Sequence, residues 1–81
     1  MPVASIDIVE RIARVLAARR LSINAEGEDA SAGAEVDAAW PEHRDDALAV
    51  LHTLREPDET MAAAGDAAVW ERMVEAALSA S

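Results

Sequence analysis

The chain has 81 residues, enough for one domain, and its sixteen Asp and Glu against seven Arg and no Lys give a net charge of −9. That balance disfavours direct binding to nucleic acid or to anionic lipid headgroups, because phosphate affinity comes from Lys and Arg, and it favours basic protein surfaces. No Cys is present, which excludes disulfides and thiolate metal sites. No apolar run is long enough to span a bilayer, and the first eighteen residues lack the basic start and unbroken apolar stretch of a secretory signal, so a cytoplasmic protein is expected.

Residues 4–20 (ASIDIVERIARVLAARR) place Ile8, Val9, Ile12, Val15 and Leu16 at helical spacing. Ser5 is a candidate N-cap, Asp7 and Glu10 fall in the first turns, and Arg19 and Arg20 close the segment where cations suit the helix dipole. A first helix over about 5–20 is predicted. The charge is uneven along the chain: residues 1–20 carry a net +2 and residues 21–81 a net −11.

Residues 21–37 show no sustained period. Gly27, Gly33 and the acids lower helix and strand preference, so a long acidic loop is expected. Seventeen residues is long for a connection without structure in a small domain, and loops of that length are disordered or functional. The alternative is a short hairpin pairing Leu21 and Ile23 with Val36.

Trp40-Pro41-Glu42 reads as a helix start, since Pro tolerates the first turn. Ala47, Leu48, Leu51 and Leu54 share a stripe, and Pro57 ends the pattern, so a second helix over about 41–55 is predicted. Asp58 can cap a short third helix, Glu59 to Ala64, ended by Gly65. Asp66 can cap a fourth over about 67–79, where Val69, Trp70, Met73, Val74, Ala77 and Leu78 read as one apolar face. The fold class expected is all-α, a small three- to four-helix bundle with a long acidic loop after the first helix. Twenty of the residues are Ala, so few large side chains are left to build the core. A monomer of that kind is marginal, and pairing with a second copy is left open. Trp70 is expected in the core; Trp40 is left between core filler and interface anchor.

Catalytic and metal readings are weak. His43 and Asp46 lie three apart, on one face of a helix, but His52 lies elsewhere on the circumference, and two ligands do not make a zinc site. No metal and no cofactor are expected. General acid–base chemistry needs a pocket that shifts a carboxylate, and adjacent acids such as Asp45 and Asp46 point in different directions. Gly27 and Gly33 lack the strand–turn–helix setting of a phosphate loop. A non-enzymatic protein is expected.

The remaining candidate is the acidic stretch, weighed against a plain solvated face. Residues 24–59 hold eleven acids and two Arg. The loop acids Glu26, Glu28, Asp29, Glu35 and Asp37, with Glu42, Asp45 and Asp46 on the second helix, are read as one negative patch. Spaced carboxylates can stand where duplex phosphates lie on a basic groove, held by bidentate Arg pairs and reached faster through complementary potential.

The segment LREPDETMAAAGDAAVWERMVEAAL, Leu54 to Leu78, resembles a recurring family of small proteins from phages and prophages of GC-rich proteobacteria. The motifs are Leu54-Arg55-Glu56-Pro57, the turn from Met61 to Gly65, Val69-Trp70 with Met73, and Ala76-Ala77-Leu78. The resemblance covers residues 40–78 and consists of caps, turn and core, so it implies a genomic setting and no catalytic residues. It does not extend to residues 24–37. In size, charge and setting the chain is similar in kind to anti-CRISPR proteins, many of which present acidic surfaces to the basic nucleic-acid channels of a CRISPR effector. This analogy of class, which rests on no shared motif, implies an inhibitor acting in the cytoplasm of a host bacterium, with a CRISPR effector complex as partner. The alternatives are a phage structural or assembly accessory protein acting as a helical oligomerisation module, and an antitoxin-like neutraliser of a basic toxin.

Overall fold

Asp7 starts the first helix: its Oδ1 accepts the backbone N–H of Glu10 at 2.8 Å, satisfying a donor that has no partner inside the helix. The computed structural model describes residues 3–24 and 33–80 of the chain. Among these the architecture is all-α. Helix α1 spans Ile8–Asn24, α2 Gly33–Ala39, a 3₁₀ turn Trp40–His43, α3 Arg44–Leu54, α4 Glu59–Ala64 and α5 Ala67–Ser79.

Two expectations are corrected here. Asp7, not Ser5, is the N-cap, and α1 continues past Arg20 because Leu21, four residues after the buried Ala17, is half-buried and extends the inward stripe. The stretch 21–37 is not all loop. Leu21 and Ile23 belong to α1 and Val36 to α2, so the hairpin alternative falls. Helix α2 opens at Gly33 with φ of 29°, a left-handed value at which an L side chain is strained. Ala34, Ala38 and Ala39 then favour helix, and Val36, 4% exposed, supplies the packing that a seven-residue helix needs. The part of the expected loop at 25–32 lies outside the described residues.

The predicted second helix divides. Pro41 sits in the 3₁₀ turn, and the α-helical ladder begins only at Arg44. Helices α4 and α5 fall where their caps indicate. Asp58 accepts the N–H of Met61 at 2.9 Å, and Asp66 accepts those of Ala68 and Val69 at 3.0 and 3.2 Å.

The core is where α1, α3 and α5 converge: Val9, Ala13, Ala47, Leu51 and Val74. Ala13 and Ala47 are fully buried, and their small size lets the helices that carry them approach closely. Trp40 and Trp70 are both half-buried and pack against this cluster. Trp70 also joins two helices, its Nε1–H donating to the Leu54 carbonyl at 2.6 Å, an acceptor left open at the end of α3. Beside it Arg55 and Glu75 form an ion pair at 2.7 Å. No described helix is long and apolar enough to cross a membrane.

Candidate functional site: an acidic junction and an apolar corner

Val36 faces inward from α2, and successive helical residues turn by about 100°. Glu35 and Asp37 therefore stand on opposite flanks of that helix. They do not share a face, which corrects the single patch read from the sequence.

Asp37 is in fact engaged. Its Oδ1 accepts from Arg14 Nη1 at 2.8 Å, while Arg14 Nε donates to Glu10 Oε2 at 2.8 Å. The same guanidinium lies over the Trp40 ring, 5.8 Å from its centroid. Hydrogen bonding to Glu10, then to Asp37, holds the Arg14 pKa above its ordinary value. Arg14 thus ties α1 to α2 and to the 3₁₀ turn, and Asp37 works as a structural residue.

Glu42, Asp45 and Asp46 stand exposed within five residues of one another, where the 3₁₀ turn passes into α3. On α3 the buried Ala47 and Leu51 fix the inward direction, and this turns Asp45 and Asp46 outward. Glu42 is exposed just ahead of them in the 3₁₀ turn. Among the described residues these three carboxylates join no ion pair. Glu35 is exposed on α2, and Glu26, Glu28 and Asp29 lie outside the described residues.

His43 does not stand on a polar face with Asp46. It is half-buried in the 3₁₀ turn, its Nε2 is shielded from solvent without a hydrogen-bond partner among the described residues, and Asp46 is exposed. His52 is exposed. No group of three or more His, Asp or Glu among the described residues is placed to hold a metal ion.

A second feature was not read from the sequence. Pro57, Met61, Val69, Trp70 and Met73 line an open groove of about 420 Å³ between α4 and α5. The apolar face expected on α5 divides in two. Trp70, Val74, Ala77 and Leu78 turn to the core, while Val69 and Met73 are 39% and 62% exposed. Met61, 39% exposed, meets them from α4. The signal was present in the spacing: Val69 and Val74 are five residues apart, about 140° around a helix, too wide for one narrow contact.

No family model matches this chain, and no curated protein and no solved structure matches it significantly.

Proposed function

We propose that this chain is a non-enzymatic inhibitor of a host nucleic-acid-handling defence complex, of the anti-CRISPR kind, that occupies a basic DNA-binding surface of its target inside the host bacterium. One observation carries the reading: Glu42, Asp45 and Asp46 stand exposed and without an ion pair among the described residues, on a junction held against α1. The backbone that carries them is already ordered by its packing on α1, which lowers the cost of binding. Bidentate Arg–carboxylate pairs supply the contact, and the −9 charge of the chain repels DNA while drawing in cationic protein. The resemblance of Leu54–Leu78 to small phage and prophage proteins supplies the setting.

A pull-down with a DNA-competition assay against a CRISPR surveillance complex tests the reading. Wild-type protein is expected to displace DNA, less well as salt rises. The triple variant Glu42→Lys, Asp45→Lys, Asp46→Lys is expected to compete at least about tenfold less well. Equal competition by the variant would show that mimicry of phosphates is not the mechanism.

The second reading, a phage assembly accessory that works as a helical oligomerisation module, is favoured by the exposed Val69 and Met73. Sedimentation velocity separates the two. A salt-insensitive oligomer supports the accessory role, and a monomer with salt-sensitive binding to basic protein supports the inhibitor.

A further inference from the structure

Helix α5 carries more apolar surface than the core uses. Val69, Met73, Ala76 and Ala80 are all exposed and follow one another at intervals of four, three and four residues, which keeps them on one side of the helix. The stripe runs about 17 Å along the axis, from Val69 to the residue just after the last turn. Pro57 and Met61 wall one end of it, and Ala76 and Ala80 leave the other end low enough for close approach of a second backbone. Helix α4 packs extensively against none of the other described helices, so this corner is open.

We infer that the α4–α5 groove receives an amphipathic helix of a partner protein, with its apolar stripe against Met61, Val69 and Met73 and Lys or Arg along its flanks. The shape fits the helix-in-groove mode, and thioether side chains adapt to an apolar surface not their own. Charge selects the partner. Asp58, Glu59 and Asp66 stand exposed at the two helix starts that frame the groove, and Arg72 is the one Arg in residues 57–80. A two-fold pairing of copies would bring two net-negative chains together, a repulsive arrangement. The outward basic face of α1, Arg11–Val15–Arg19, offers another copy only Val15 as a large exposed apolar side chain, against the four apolar positions on α5. The inference shares a cationic protein partner with the proposed function but uses a different surface.

Trp70 lines the groove and reports on it. In a Trp40→Phe background, full-length protein is titrated with a synthetic Leu/Lys amphipathic helix long enough to cover α5, and with a Leu/Glu helix of the same apolar pattern. The Leu/Lys peptide is expected to bind saturably and shift Trp70 emission to the blue, with the Leu/Glu peptide at least about tenfold weaker. The double variant Val69→Glu, Met73→Glu changes two exposed positions and is checked for helicity by circular dichroism. It adds negative charge, so a purely electrostatic attraction would strengthen; seating in the groove requires at least about tenfold weaker binding. The inference is overturned by equal binding of both peptides, by no binding, or by undiminished binding to the folded double variant. It is equally overturned by a self-associated protein that the double variant turns into monomer. The Lys variants at Glu42, Asp45 and Asp46 are expected to keep the fluorescence response. Undiminished competition by these Lys variants at a defence complex, with the peptide response intact, would therefore fail the proposed function alone.

Discussion

Leu51 and Leu54 are chemically identical and three residues apart on α3, about 60° around the helix, yet one is 3% exposed and the other 39%. Replacing each by Ala tests the orientation of the helix that carries the acidic junction. Leu→Ala removes three carbon groups at about 0.8 kcal/mol each, about 2.4 kcal/mol when the side chain is fully buried. At Leu51, enclosed by Val9, Ala13, Ala47 and Val74, a cavity remains, and the loss rises to about 3 kcal/mol. At Leu54 only about three-fifths of the side chain is hidden and water fills the space, so the loss is about 1.5 kcal/mol. An 81-residue domain has about 4–12 kcal/mol in total, so the first change takes a large fraction of it. In thermal unfolding followed by far-UV circular dichroism, Tm is expected to fall by about 12–24 °C for Leu51→Ala and about 6–12 °C for Leu54→Ala. Urea midpoints should follow the same order with an unchanged slope. If Leu54→Ala proved equally or more damaging, α3 would be rotated from the orientation that turns Asp45 and Asp46 outward, and the junction would lose its geometric basis.

Four further substitutions probe the joints of the fold. Trp70→Phe keeps the ring against the core but deletes the 2.6 Å bond to the Leu54 carbonyl, and a loss of about 1 kcal/mol is expected in urea unfolding. Asp66→Ala removes the acceptor for two backbone N–H groups at the start of the 13-residue α5 and is expected to cost about 1–2 kcal/mol, with Asp58→Ala at the six-residue α4 costing less. Arg14→Met breaks the contacts to Glu10, Asp37 and Trp40 together, so Tm should fall, and the difference from wild type should shrink at high salt as the exposed pairs are screened. Because pairing raises the Arg14 pKa, its contribution is complete at and below neutral pH as far as Arg14 is concerned, and is lost only as pH rises through that elevated value; a mid-range pH titration that singled out Arg14 would contradict this.

What the sequence could disclose follows from the range of the interactions. Helices α4 and α5 were legible because Asp58 and Asp66 act on N–H groups two or three residues away, and Pro57 and Gly65 act on the backbone at their own positions. Helix α2 was not, because it has one large apolar residue, Val36, and no period; its packing on α1 decides it. Asp37 could not be separated from the other acids for a similar reason. Its partner Arg14 lies 23 positions earlier, and no local pattern connects them. The corner groove is the intermediate case. A helical wheel of α5 shows an apolar arc wider than one contact needs, but which edge stays open depends on α4 not packing across it.

The net charge overstates the surface that a partner can grip. Of the described carboxylates, Asp7, Asp58 and Asp66 are committed to helix starts, and Glu10, Asp37 and Glu75 to ion pairs with Arg14 and Arg55. All of them still contribute to the long-range potential that steers a cationic molecule inward. Short-range contact is another matter, since a carboxylate already holding an Arg has fewer lone pairs free and part of its charge neutralised. In the proposed function, contact therefore concentrates where described acids are exposed and join no ion pair, as Asp45 and Asp46 on α3 and Glu42 just ahead of it do. The two roles separate by experiment. Neutralising Asp37 should lower stability and slow association in proportion to one lost charge, while neutralising Asp45 should leave the fold intact and speed dissociation. Fast-mixing kinetics with the CRISPR surveillance complex of the proposed function would expose the opposite assignment if Asp37 governed the dissociation rate instead.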